Sequence, residues 1–340
     1  MYSKLIIPLD GSALAEQVLP FAVKLANKIQ ARVLLLHLVE PKLFASNGLA
    51  NSLTTANTAK SYLTELLQLI TAPGSKFHLA ADQVETLVVN NEPISKIPEI
   101  AVNEGASLIV MATHGKGSMP RMVLGSTASK VLQHSKMPVI LLRPNQLSEP
   151  LLPLQEPVPV TELAVSDEPG FKQSQTQDVL LVTLDGSVKA EIALAPAIAL
   201  ARLMKARGCL LQVRFLLEEF GYDGIIPDPA DMAEENRKRR EESYAYLNKI
   251  RADLVLKGVE CSTIVRLGNP AEEIRACTRD LQPAMLIMAM HAHGHIGDLL
   301  LGNTAEDVLT NLNLPIMMIN IRSYAQANNG QIEPAAMATL

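Results

Sequence analysis

The chain has 340 residues, with 30 basic and 35 acidic side chains and a net charge of −5. At roughly 100 to 200 residues per domain this length calls for two domains, and the acidic balance excludes a protein drawn to nucleic acid or anionic lipid by an overall positive field. Hydrophobic residues make up 48% and charged residues 19%, which is enough apolar surface to offset the ordering entropy that leaves polar chains disordered. Aromatics at 4% and the absence of Trp favour packed aliphatic α/β layers over an aromatic platform for single strands.

The first apolar run, Leu5 to Leu9, stops at Asp10, too short for a secretory core, and no apolar run reaches the ~18 to 20 residues that span a bilayer. Cys209, Cys261 and Cys277 have no CxxC spacing and imply neither a disulfide framework nor a thiolate zinc site. A soluble chain in a reducing cytoplasm is expected, with no membrane and no nucleic acid among its partners.

In chain order, short Val/Ile/Leu runs near 4–9, 32–39, 84–89, 107–112 and 138–142 read as strands, separated by longer amphipathic stretches that read as crossover helices. After Asp10, the residues Leu14, Val18, Phe21, Leu25 and Ile29 fall on one helical face, with a local bend expected at Pro20. Residues 145–176 carry five prolines among Gln, Ser and Glu and read as a linker. Strand patterns then return near 178–184, 209–216, 260–266, 284–290 and 315–320, and Pro196 repeats the expected bend.

The return is a repeat. KLIIPLDGS at 4–12 matches VLLVTLDGS at 179–187, pairing Asp10 with Asp185. Pro93 and Ile97 match Pro270 and Ile274, Gly115 matches Gly294, Gly125 matches Gly302, and Pro138 matches Pro315, all in one order. The expected architecture is α/β: two tandem doubly wound domains, each a five-stranded parallel sheet with helices on both faces. The expected boundaries are 1–144 for the first domain, 145–176 for the linker, 177–322 for the second and 323–340 for a loose tail.

In such sheets a ligand sits beyond the carboxyl ends of the strands, where neighbouring crossovers leave on opposite faces. The end of the first strand, Asp10, Gly11 and Ser12, should meet the end of the fourth, ATHGKGSMPRMVLGSTASKVL at 112–132. Gly115 and Gly117 let backbone approach a ligand, and Gly125, Ser126 and Thr127 open a helix whose free N–H groups suit a phosphate.

At these residues the chain resembles the universal stress protein family. Its ATP-binding members carry Gly, two residues, Gly, nine residues, Gly and Ser or Thr after the fourth strand. This chain has Ala112, Thr113, His114, Gly115, nine residues, Gly125 and Ser126, a match at all but the first position. The PLDGS start, LLHLVE at 35–40 and SLIVMATHG at 107–115 are also similar, and the resemblance extends over both copies. It implies ATP, with Mg or Mn on its phosphates, held by the first domain: Asp10 near the adenosine, Leu38 backbone at the adenine edge, Ala112 beside the ribose, and Gly115, Gly125, Ser126 and Thr127 at the phosphates. It further implies that the last strands of the two copies, 138–142 and 315–320, form a pseudo-two-fold contact, an intramolecular pseudo-dimer that leaves room for a homodimer of tandem chains. An adenine nucleotide and an unidentified protein are the expected partners.

In the second copy Asp185, Gly294, Gly302 and Asn303 are the matching candidates, with seven residues between the glycines and Asn303 in place of Ser or Thr, so weak or no ATP binding is expected there. Asp10 and Asp185 have a plainer reading as caps of the following helices. His291, His293 and His295 fit a turn better than a metal site, and NRKRR at 236–240, flanked by Glu, reads as a solvated helix face. The polar run 46–58 reads as a flap or a surface loop, and Met285, Met288, Met290, Met317 and Met318 as core. No nucleophile with a base, GxSxG, Walker A or paired-carboxylate pattern is present, so no enzyme is expected and no catalytic residue is named. Two functions follow: a nucleotide-binding stress-response regulator, or a nucleotide-independent scaffold of the same fold.

Overall fold

The computed structural model describes residues 2–40, 56–75, 78–114, 124–144, 177–216, 228–290 and 302–328. The expected linker, Gly115, Gly117, Gly294, His291, His293, His295 and positions 46–55 of the polar run lie outside the described residues.

In the first copy, β1 (Lys4–Pro8) leads through α1 (Ala13–Glu16) and α2 (Leu19–Ile29) to β2 (Arg32–Val39). The single helix expected after Asp10 is divided here. Pro20 lacks the N–H that an unbroken helix would use and sits in the first turn of α2, where none is needed. Next come α3 (Ala56–Thr71), β3 (Val84–Asn90), α4 (Ile97–Asn103), β4 (Leu108–Ala112), α5 (Ser126–His134) and β5 (Val139–Leu142). In the second copy, β6 (Val179–Leu184) is followed by a 3-10 turn at Ala190–Ala193, α6 (Leu194–Met204), β7 (Arg207–Arg214), α7 (Pro229–Leu256), β8 (Cys261–Leu267), α8 (Pro270–Leu281) and β9 (Met285–Met290). The chain continues through α9 (Asn303–Asn311), β10 (Ile316–Asn320) and α10 (Ile321–Ala327).

The strands match the periodicity closely because a fully buried parallel strand is a continuous aliphatic run, as in β4 and β5, where every residue is buried. By clustering of contacts the chain forms two units, one of residues 1–151 with 289–332 and the other of 152–288 with 333–340. In the first unit β1 pairs in parallel with β2 and β4, β2 with β3, and β4 with β5, giving the order 3-2-1-4-5. Crossovers between parallel strands are right-handed, so reversal of direction at β1 puts α2 and α3 on one face and α4 and α5 on the other. β10 adds antiparallel to the edge of β5, with Ile316 opposite Leu141 and Met318 opposite Val139, which is the pairing expected of 138–142 and 315–320. In the second unit β6 pairs with β7 and β9, and β7 with β8, all in parallel. Both copies are α/β with five strands each.

Residues 323–327, expected in a loose tail, are helical. Asn320 accepts from the Ser323 N–H at 3.2 Å and so caps α10, while its amide donates to Leu132 O at 2.9 Å and Gln133 O at 3.0 Å; Tyr324 is buried. Those partners are distant in sequence and invisible to a local reading. The five methionines of the second copy are core, each at most 6% exposed. On α7, Arg237 pairs with Glu234 and Glu241, and Arg239 with Glu235, as a solvated helix face should. Burial raises the thiols of Cys209, Cys261 and Cys277 to about 12. Among the described residues no helix is long and apolar enough to cross a membrane, and no three His, Cys, Asp or Glu side chains group as a metal site.

Candidate functional site at the end of the first sheet

β1 ends where the Leu9 N–H donates to Leu36 O at 2.8 Å. The chain turns at Gly11, whose φ of 76 is a conformation that a Cβ disfavours. Asp10 Oδ1 accepts from the Ser12 N–H at 2.9 Å and from the Ser12 hydroxyl at 2.5 Å, and Ser12 Oγ accepts from the Ala15 N–H at 3.2 Å. The cap of α1 is therefore Ser12, and Asp10 orients it, which sets aside the reading of Asp10 as the cap. The second copy repeats the device: Asp185 Oδ1 accepts from the Ser187 N–H at 2.8 Å and Ser187 Oγ from the Ala190 N–H at 3.1 Å.

Strand register sets what lies beside this turn. Ile6 stands opposite Ile109, so Asp10 and Thr113, four residues on in each strand, leave the same edge together. On β2, Leu36 O points toward β1, where it meets Leu9. Leu38, two residues further, turns its N–H and C=O the same way, past the point where β1 has ended. Leu38 is half-buried and pairs with Val89 on its other side. The crevice edge thus carries Asp10, the Leu38 backbone and the end of β4.

At the end of β4, Ala112 and Thr113 are buried. The Thr113 N–H donates to Leu142 O at 2.8 Å, and Thr113 O accepts from the Gly125 N–H at 2.7 Å, so the two ends of the 114–124 segment are tied. Thr113 Oγ1 lies 3.0 Å from His114 Nδ1. Gly125 is the N-cap of α5 and offers no side chain to its amides. The first helical bond runs from the Ser129 N–H to Gly125 O at 2.9 Å, leaving the N–H groups of Ser126, Thr127 and Ala128 at the positive end of the helix. Gly125 has φ −66 and ψ 154, which any residue adopts. Its usefulness here is the missing side chain rather than backbone freedom.

The structure also adds residues that the motif does not contain. Tyr62 of α3 donates to Glu16 at 2.9 Å, and its ring meets His37 edge-on with centroids 6.1 Å apart. Burial first, then the Glu16 and Asp10 carboxylates, hold the Tyr62 phenol far above its ordinary range, so it remains a donor. In the second unit Tyr246 donates to Glu191 at 3.2 Å, and burial with Glu191 and Asp185 raises its phenol likewise. Glu16 and Tyr62 went unassigned because each acts through a partner in another element. The recurring Glu and Tyr of the two copies were the available signal.

Among the predicted residues, then, Asp10, Leu38, Ala112, Gly125, Ser126 and Thr127 belong to the first unit and flank one strand edge. Asp185 belongs to the second unit, whereas Gly302 and Asn303, at the start of α9, belong to the segment that clusters with the first. Gly302, like Gly125, caps its helix without a side chain.

The universal stress protein family model matches residues 1–143 and 178–320. The chain belongs to that family, with two copies in tandem. Universal stress protein YxiE of Bacillus subtilis is 30% identical over 151 residues, covering 42% of this chain and all of its own length. A universal stress protein of Thermus aquaticus is 28% identical over 149 residues, again 42% of this chain and the whole relative. A universal stress protein structure from Archaeoglobus fulgidus superposes with a TM-score of 0.59 at 16% identity, over 94% of this chain and 99% of the other, a likeness of fold across both copies of the family domain.

Proposed function

We propose that this universal stress protein is a regulatory module that binds an adenine nucleotide at the carboxyl edge of the first unit's sheet. The observation that carries the reading is the helix start at α5. A glycine caps it, three N–H groups precede its first intrahelical bond, and it follows the strand adjacent to Asp10 at the reversal of strand order. The adenosine lies along Asp10 and the Leu38 backbone, and the phosphates, carrying Mg or Mn, meet Ser126, Thr127 and the glycines of the 112–127 segment. The domains are those of 1–144 and 177–322, acting in the cytoplasm, and the bound nucleotide alters the surface that α5 offers to a protein partner. The module is a binder rather than an enzyme.

The test is native mass spectrometry and calorimetry on the full chain. ATP binds the parent protein and is lost on Gly125→Val with circular dichroism unchanged; a parent protein indifferent to ATP contradicts the proposal. One observation favours the scaffold reading: the Gly125 N–H, which the motif would aim at phosphate, is bonded to Thr113 O. Under that reading Gly125→Val changes partner capture without any nucleotide effect.

A further inference from the structure

Tyr62 of α3 touches both walls of the place proposed for adenosine. Its hydroxyl donates to Oε1 of Glu16, the last residue of α1, at 2.9 Å, and the Gly11 N–H lies against the same phenol oxygen. Its ring meets His37 edge-on with centroids 6.1 Å apart, and His37 is the buried residue of β2 that precedes Leu38. One side chain from a third element thus bridges the turn that carries Asp10 and the strand that carries the Leu38 backbone.

The turn needs such a bridge. α1 has four residues, far below the ~12 to 15 at which an isolated helix becomes even marginal. Ser12 holds its start: Oγ accepts from the Ala15 N–H at 3.2 Å while the hydroxyl donates to Asp10 Oδ1 at 2.5 Å, so the direction of the Asp10 carboxylate follows the position of α1. The end of α1 is held across to α3 by the bond between Tyr62 and Glu16, a donor on an ionised acceptor and so stronger than a neutral pair. α3 is firm enough to serve, with Ala59, Leu63, Leu66 and Ile70 buried along its 16 residues. The start of α5 has a separate anchor, the bond from the Gly125 N–H to Thr113 O. The second copy repeats half of the bridge: Tyr246 donates to Glu191 at 3.2 Å, but Gln212 stands where the first copy has His37.

We infer that Tyr62 is a positioning residue for the nucleoside half of the site, fixing the Asp10 turn against the Leu38 strand so that adenosine meets a preformed edge, and that it acts independently of the phosphate half at α5. The inference rests on the adenine-nucleotide reading and adds to it the residue that sets the nucleoside's share of the affinity.

The experiment is calorimetry of ATP binding to the full chain freed of nucleotide. Tyr62→Phe keeps the ring and removes the hydroxyl, and ATP affinity should fall about tenfold, the worth of one hydrogen bond to a charged group. Glu16→Ala should match it, and Glu16→Gln, which keeps an acceptor, should recover most of the loss. Added to Asp10→Ala, Tyr62→Phe should cost little more, because both act on the same half; added to Gly125→Asp, its tenfold loss should appear in full. Tyr246→Phe, which removes the corresponding bond in the second unit, should leave ATP affinity unchanged. Without ligand, hydrogen exchange at Gly11, Ser12 and Ala15 should accelerate in Tyr62→Phe. A parent chain indifferent to ATP overturns the nucleotide reading and this inference with it. A parent that binds ATP, with equal affinity in Tyr62→Phe or with a Tyr62→Phe loss that adds fully to Asp10→Ala, overturns this inference alone.

Discussion

At Asp10 and at Asp185 the chain makes the same turn: an aspartate oxygen takes the N–H two residues on, a positive-φ glycine reverses the backbone, and a serine takes the N–H that opens the next helical segment. Behind the first turn stands His37, its ring edge-on to Tyr62; behind the second stands Gln212, pressed against Gly186. The hydrogen-bonded turn is written by three adjacent residues, so duplication copies it intact. What stands behind the turn comes from the next strand and the next long helix, and there the copies differ. The same local motif therefore stands before a different buried side chain in each copy.

The widest separation of the two copies should come from the helix starts. Gly125→Asp puts a capping carboxylate where phosphate should sit, and ATP affinity measured by calorimetry should fall about 10- to 100-fold, the worth of one or two charge-assisted hydrogen bonds. Gly302→Asp meets no described residue within 4 Å of its new Cβ and should leave ATP binding unchanged. Equal losses would abolish the distinction between the copies. Neither variant should lower helix stability, since Asp is a better N-cap than Gly.

Next in size are the turn glycines. Gly11 and Gly186 have φ of 76 and 86, so alanine at either costs on the order of 1 to 3 kcal/mol in urea unfolding. Gly186→Ala should cost more, because its methyl must also displace the buried Gln212 amide. The double variant Gly186→Ala, Gln212→Ala should recover that excess, and failure to do so would mean that Gln212 is not what confines Gly186.

Removing the caps is a smaller change. Ser12→Ala should cost about 1 kcal/mol, and Ser187→Ala less, because Ser12 also takes part in a 2.5 Å bond to Asp10 that has no described counterpart at Ser187. Chemical denaturation of the two variants side by side would show whether the turns are energetically equivalent.

The mildest difference at neutral pH concerns the thiols, all three of which lie between residues 209 and 277, in the second copy. Burial raises each to about 12 from an ordinary 9.0, so above pH 9 the unfolded thiol ionises while the folded one keeps its proton. The unfolded state then binds fewer protons, and stability must fall as pH rises. Between pH 8.5 and 9.5, where thiols of ordinary pKa 9.0 ionise ahead of tyrosines of ordinary pKa 10.0, hydrogen exchange in β7, β8 and α8 should accelerate more than in β1, β2 and β4. At pH 8 the folded thiols should resist alkylation.

Much of this molecule can be read from local pattern. Aliphatic runs marked the strands, most completely β4 and β5, where every residue is buried, and Pro20 and Pro196 marked where helices could not run unbroken because proline has no N–H to give. The repeated Asp-Gly-Ser and the glycine ahead of Ser126 marked where backbone would turn and where a helix would begin uncapped. Which serine caps, which tyrosine reaches which glutamate, and how Asn320 holds the end of α5 were decided only by the tertiary structure. Local dihedral preferences and side-chain period act over a few residues, whereas these contacts depend on where right-handed crossovers deliver segments tens to hundreds of positions apart.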